Sequence, residues 1–111
     1  MRIDRGDVVW ADMAPTVGRE QRGHRPYLVL SDQRFHQLRE VVIAVPMTTV
    51  HKPWPTRVPL GPDSWAIAEQ PTTVSVDRIT KVEPAGHDVT EVRALIGYLM
   101  GGPPPSPTDS Q

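Results

Sequence analysis

Pro26-Tyr27-Leu28-Val29-Leu30-Ser31 is a short, unbroken apolar run with a proline at its head and a serine at its end. A run of this length without alternation is the pattern of a strand buried on both faces. Pro26 is expected to open that strand, because a proline has no N–H to give to a central ladder. Upstream, Gly6-Asp7-Val8-Val9-Trp10-Ala11-Asp12-Met13 mixes β-branched and aromatic residues and predicts a second strand. Residues 14–25, between the two, carry Pro15, Gly18 and Gly23 among polar neighbours and read as a long loop.

Downstream, residues 32–40 are polar and have room for a short helical turn. Residues 41–45 form the most β-prone run of the chain, and Pro46-Met47-Thr48-Thr49 follows it. A second loop over 50–55 precedes two shorter strands, 57–60 and 65–70, separated by a Gly61-Pro62-Asp63 turn. Residues 72–76 are a further β-branched run, set off by Pro71. Near the end, Val89, Val92, Ile96 and Leu99 fall on one face at helical spacing, with Leu95 and Met100 beside them. Asp88 is placed to cap that helix, with Glu91 three residues on, and Gly101-Gly102 supply its stop. The pattern predicts a mainly β protein, a small and strongly curved antiparallel sheet or barrel with one C-terminal helix. Residues 1–102 form its single domain, and the Pro/Ser-rich residues 103–111 are expected to be a disordered tail.

A chain of 111 residues fits one domain, and 38% hydrophobic with 23% charged residues suits a globular protein with a modest core. Without cysteine there is neither a disulfide framework nor a thiolate metal site, and a dimer is a common way for so small a core to gain stability. The N-terminus has no apolar signal-peptide core, and no apolar run approaches the roughly 20 residues that span a bilayer, so a cytoplasmic location without membrane contact is expected. The formal net charge of −1 argues against a general nucleic-acid binder, but a local patch is what a ligand meets.

Such a patch exists between Arg19 and Arg25, where three arginines and one histidine face a single glutamate. Arginine forks match phosphate geometry and stay charged near neutral pH. Glu20 among them is held as the carboxylate, a form that suits a base better than an acid. Arg25 precedes a proline and is therefore held extended, which gives its side chain a fixed direction. Thr48 offers a hydroxyl at the end of the most apolar strand. In His51-Lys52-Pro53-Trp54-Pro55-Thr56-Arg57, basic and aromatic groups interleave, and Trp54 between two prolines is available either to stack on a base or to pack on the sheet. The four histidines have no metal-ligand spacing, and neither a phosphate-binding loop nor a dinucleotide fingerprint is present. Neither a metal nor a cofactor is therefore expected.

Several of these stretches together resemble one family. Residues 5–12, Pro15-Thr16-Val17-Gly18, Glu20-Gln21, Gly23-His24-Arg25-Pro26 and Leu28-Val29-Leu30-Ser31 are similar to the N-terminal signature of MazF/PemK toxins. Val45-Pro46-Met47-Thr48-Thr49 resembles that family's second motif, and Val58-Pro59-Leu60 with Ala66-Ile67-Ala68-Glu69-Gln70 fit its later strands. The resemblance implies an SH3-like barrel of the MazF/CcdB type, a homodimer, and a cognate antitoxin as partner. It also implies a metal-independent, sequence-specific endoribonuclease that cleaves single-stranded RNA by attack of the ribose 2′-OH. On that reading Arg25 and Thr48 are the catalytic pair and Glu20 is the base. Arg19, Gln21, His24, Lys52, Trp54 and Gln70 line the RNA groove.

The chain departs from the family pattern in its terminal helix, which is short, and in two motifs. It has Ser31-Asp32-Gln33 after the second strand where Asn-Asp is usual, and Pro71-Thr72-Thr73 where Ile-Arg-Thr is common. Two alternatives stay open on the sequence: a non-enzymatic toxin of the same fold that binds gyrase, and an inactive RNA- or protein-binding module.

Overall fold

In the computed structural model, strand β1 (Val8–Asp12) lies between β2 (His24–Val29) and β7 (Ile79–Glu83), antiparallel to both. The structure describes residues 2–13 and 24–105. After β2 comes helix α1 (Gln33–Arg39), followed by β3 (Val41–Thr48), β4 (Arg57–Gly61), β5 (Ser64–Ile67) and β6 (Thr72–Ser75). A single 3-10 turn leads from β6 into β7, and α2 (Thr90–Leu99) closes the described fold. The seven strands form one sheet in the order β4-β5-β3-β2-β1-β7, with β6 paired to β3 off that path. Among the described residues no pairing joins β4 to β7, so the antiparallel sheet with its C-terminal helix is as expected but is not a closed barrel.

β3 is the strand that organises the rest. Its first half pairs with β6 (Val41↔Ser75 to Ala44↔Thr72), its middle with β2 (Val29↔Ala44 to Tyr27↔Pro46), and its last residues with β5 (Met47↔Ala66, Thr48↔Trp65). Strand alternation sends its side chains to two separate cores. Val42 and Ala44 join Val9, Ala11, Tyr27, Val29 and Val74 on one side. Val45 joins Leu28, Val58 and Ala66 on the other, where Val89 and Val92 come over from the region of α2. The apolar run at 27–30 is thus buried throughout, as its lack of alternation predicted.

Local chemistry accounts for the element ends. Asp32 begins α1 by accepting the Arg34 N–H at 2.8 Å, and Glu40 ends it in the left-handed region at φ 57°, with its own N–H donated to the His36 carbonyl. Gly6, at φ +92°, lets the chain turn into β1 where a Cβ would stand 2.5 Å from the His87 carbonyl oxygen.

The elements differ from the sequence reading at several points. β2 begins at His24, which puts Pro26 third in the strand; the β2–β3 register ends at Tyr27↔Pro46, so Pro26 lies beyond the part of β2 that needs donors on that side. β5 stops at Ile67, because the chain turns there and the Gln70 N–H reaches back to the Ile67 carbonyl. β7 was not anticipated from the sequence. In α2, Asp88 takes the Thr90 N–H at 2.9 Å as a cap would, yet the regular turns begin only at Thr90. The apolar face of α2 is also shorter than its spacing suggests, for Leu99 and Met100 are 49% and 80% exposed, past the edge of the core. Most of the expected tail, residues 106–111, lies outside the described residues. No described helix is long and apolar enough to cross a membrane.

Candidate active site

Arg25 and Thr48 sit at the same end of the β2–β3 ladder. Its last register pair is Tyr27↔Pro46; Arg25 is two residues before Tyr27, and Thr48 two residues after Pro46. A period of two carries both side chains to the same face of the sheet, the one that holds Tyr27 in the first core. Arg25 stands opposite Ala11 on β1 and is half-buried. Its guanidinium is close enough to Tyr27 to be felt there: burial pushes the Tyr27 phenol up, and the positive charge of Arg25 pulls against that shift. Tyr27 was not singled out from the sequence, where it read only as part of an apolar strand.

Thr48 is the last residue of β3 and lies opposite Trp65 of β5. Its Oγ1 accepts the Val50 N–H at 3.0 Å. A hydroxyl has one hydrogen and two lone pairs, so this contact occupies one acceptor site and leaves the hydrogen to donate elsewhere.

The loop between β3 and β4 rises from this end of the sheet. Trp54 is 47% exposed, with the Lys52 Nζ at 5.3 Å from its ring centroid and the Arg57 guanidinium carbon at 5.0 Å. His51 lies against Trp65, ring centroids 5.0 Å apart. Arg57 opens β4 and reaches back, its Nη1 donating to the Val50 carbonyl at 2.8 Å. Neither Arg57 nor Trp65 was named as a site residue from the sequence; the interleaving of cations and rings in 51–57 is a signal that marks Arg57, whereas Trp65 reads only as part of a strand.

The remaining expected residues are spread more widely. His24 lies on the opposite face of β2 from Arg25, with its Nε2 3.2 Å from the Thr80 Oγ1. The Thr80 hydroxyl donates to the Trp10 carbonyl, so its oxygen is left to receive the His24 N–H. Gln70 is exposed on the turn after β5; since Trp65 opposes Thr48 and Thr72 opposes Ala44, that turn runs beside the middle of β3 rather than the Thr48 end. Arg19, Glu20 and Gln21 lie outside the described residues. Among the described residues, no three His, Asp or Glu side chains converge in a way that could hold a metal ion.

A half-buried arginine and a strand-end hydroxyl on one face, beside an exposed indole flanked by cations, can hold a phosphate and a neighbouring base. Comparison with known proteins agrees in both sequence and shape. Residues 4–95 match the family described as PemK-like, MazF-like toxin of type II toxin-antitoxin system. The chain is 39% identical over 104 residues to the endoribonuclease toxin MazF of Escherichia coli (strain K12), covering 88% of this chain and 94% of that protein. It is 34% identical over 89 residues to endoribonuclease EndoA of Bacillus subtilis (strain 168), covering 72% and 77%. Its fold superimposes on MazF from Deinococcus radiodurans with a TM-score of 0.73 at 28% identity, over 92% of this chain and 99% of that one. A mycobacterial endoribonuclease in complex with its cognate antitoxin gives 0.71 at 25% identity, over 93% and 99%. Sequence and shape agree, and the chain belongs to the PemK-like, MazF-like toxin family of type II toxin–antitoxin systems.

Proposed function

We propose that this toxin is an endoribonuclease that cuts single-stranded RNA at the Arg25–Thr48 end of the sheet. The observation that carries the reading is the placement of these two side chains on one face, each two residues beyond the last β2–β3 register pair. The reaction needs no external nucleophile. The ribose 2′-oxygen attacks the adjacent phosphorus, its proton passes to a base, and the bond to the 5′-oxygen breaks with a proton returned to that oxygen. The products are a 2′,3′-cyclic phosphate and a 5′-hydroxyl. Arg25 opposes the negative charge that builds on the phosphorane oxygens, since a guanidinium is a poor proton donor but a good partner for phosphate. Thr48 donates its hydroxyl hydrogen to one of those oxygens. The base is assigned to Glu20.

Trp54 with Lys52 offers a stacking surface and a cation for the strand next to the cut. Arg19, Gln21, His24 and Gln70 guide the RNA more peripherally. The protein works in the cytoplasm as a homodimer, for which the exposed Tyr98, Leu99 and Met100 at the end of α2 provide apolar surface. Its partner is a cognate antitoxin whose tail occupies the same groove as RNA.

The test is cleavage of unstructured RNA by the purified chain in EDTA, with the cut ends mapped. Wild type is expected to leave cyclic-phosphate ends, and Arg25→Ala to lose most of the rate. No cleavage by wild type, or equal cleavage by the Arg25 variant, removes the assignment. Simultaneous saturation by RNA and antitoxin would break the shared-groove part of it.

A further inference from the structure

Arg57 ties together two features of the site that the reaction uses separately. Its Nη1 donates to the Val50 carbonyl at 2.8 Å, and the N–H of the same Val50 donates to the Thr48 Oγ1 at 3.0 Å. Its guanidinium carbon lies 5.0 Å from the Trp54 ring centroid, and its backbone N–H donates to the Trp54 carbonyl at 3.0 Å. One residue at the start of β4 therefore meets Trp54 through both ring and backbone, and its side chain holds the residue that orients the threonine hydroxyl. Lysine could supply the charge but not a flat fork that meets a carbonyl and a ring together. The Arg57 Nε is buried without a hydrogen-bond partner among the described residues. The guanidinium is thus anchored through its tip and its stacked face, which leaves its aim dependent on those two contacts.

Resting on the ribonuclease reading above, we propose that Arg57 is a positioning residue that couples base stacking on Trp54 to the orientation of the Thr48 hydroxyl. A base seated on the indole fixes the ring, the ring fixes the guanidinium, and the guanidinium fixes the Val50 carbonyl; the N–H of the same residue, one peptide earlier, sets the Thr48 oxygen. The correct base next to the cut then raises the rate of the chemical step and not only the affinity. Sequence preference is in this way read out partly in kcat.

The experiment uses the full chain. Wild type first cuts a long unstructured RNA in EDTA, and a short oligonucleotide spanning one cut is made in three forms. One is all RNA, one has a 2′-deoxy residue at the cut for binding measurements, and one is a series with a single abasic residue at each position. Wild type is expected to lose kcat on one abasic oligonucleotide in particular. Arg57→Met is expected to lose kcat on the intact oligonucleotide by about tenfold, as a misaligned group does, with a smaller change in affinity for the 2′-deoxy form. It should also be blind to the abasic position that slows wild type. Arg57→Lys, which keeps a cation and a donor, recovers part of kcat. If Arg57→Met does not fold, Arg57→Gln is read by the same criteria.

A rise in KM alone, or an unchanged abasic penalty, overturns the inference. So does a salt dependence of binding that becomes shallower by about one counterion, the mark of a direct phosphate contact. These outcomes are distinct from failure of the ribonuclease reading itself, in which wild type does not cut or Arg25→Ala and Thr48→Val cut normally.

Discussion

The imidazole of His36 lies between the Ile3 carbonyl oxygen, 2.8 Å from Nδ1, and the Ser31 Oγ, 2.6 Å from Nε2. A carbonyl can only accept, so Nδ1 carries the hydrogen and, in the neutral ring, Nε2 accepts a hydrogen bond from the Ser31 hydroxyl. The Ser31 oxygen in turn accepts the Ile43 N–H at 2.9 Å. Through these contacts one buried ring joins the N-terminal segment, the end of β2 and the start of β3 to α1.

Replacing that ring with Leu should leave the Ile3 carbonyl and the Ser31 hydroxyl without their partner. His36→Leu is expected to lower stability by about 1–3 kcal/mol, the penalty for unpaired buried polar groups. Urea unfolding followed by circular dichroism measures it, and a midpoint within error of wild type would contradict the satisfied-network account.

Gly6→Ala should destabilise by about 2 kcal/mol or more, since it adds a left-handed strain of order 1–2 kcal/mol to a clash with backbone. The clash is with the His87 carbonyl oxygen, and His87 also donates its N–H to the Gly6 carbonyl, so neither side can move alone. Gly86→Ala offers a control: it shares the positive φ, but nothing lies within 4 Å of its added Cβ. Gly6→Ala should be the worse of the two in the same unfolding assay.

Along α2, Val92→Ala and Leu99→Ala should separate cleanly. Val92 is fully buried, so its truncation is expected to cost about 2 kcal/mol through lost burial and the cavity left behind. Leu99 is 49% exposed, and Leu99→Ala should leave the monomer's stability nearly unchanged. A concentration-dependent loss in the Leu99 variant would place that residue in the dimer contact.

Hydrogen bonding from the Arg34 side chain, then from its backbone N–H, holds the Asp32 carboxyl down to about 2. A carboxyl lowered on folding contributes stability above its unfolded value and loses it as pH falls through the folded one. The Asp32 contribution should therefore be complete by about pH 5 and fade toward pH 2, a window set by its lowered and ordinary values. The group is exposed and screened, so the effect is small. Wild type and Asp32→Ala should converge in melting temperature on acidification; a gap that stayed constant down to pH 2 would argue against the capping role.

Trp54→Ala should weaken binding of a non-cleavable single-stranded RNA by about 1–3 kcal/mol, the usual contribution of one stacked base. Trp54→Phe should retain most of it. Equal affinities for all three proteins in fluorescence anisotropy would show that the exposed indole has another use.

The parts of the fold legible in the sequence are those where burial writes a pattern. The run at 27–30 is apolar throughout because both of its faces meet a core, and α2 shows its spacing at Val89 and Val92 because one face is covered. β7 was illegible for the opposite reason. Thr80 and Lys81 are adjacent and exposed, and the register with β1 shifts between Trp10 and Ala11, so no strict alternation survives. Pro26 misled the start of β2 because a proline is excluded only where its nitrogen must donate, which depends on where the pairing of β2 with β3 stops. Arg25 and Thr48 became a pair through resemblance, and the ladder register supplies the geometry. Arg57 stayed hidden because its role depends on the loop returning to Val50, a contact between residues seven positions apart.

The sharing of β3 has a consequence for how the molecule opens. Among the described pairings, the β4–β5 hairpin is hydrogen-bonded to the other strands solely through Met47 and Thr48. A seam that short can part while β1, β2, β6 and β7 stay zipped, so amide protons of the hairpin should exchange by partial opening, ahead of global unfolding. Thr48 lies on that hinge line. A ligand gripping both Arg25 and Trp54 would bridge the two cooperative units, and its occupancy would be registered as slowed exchange across the whole hairpin.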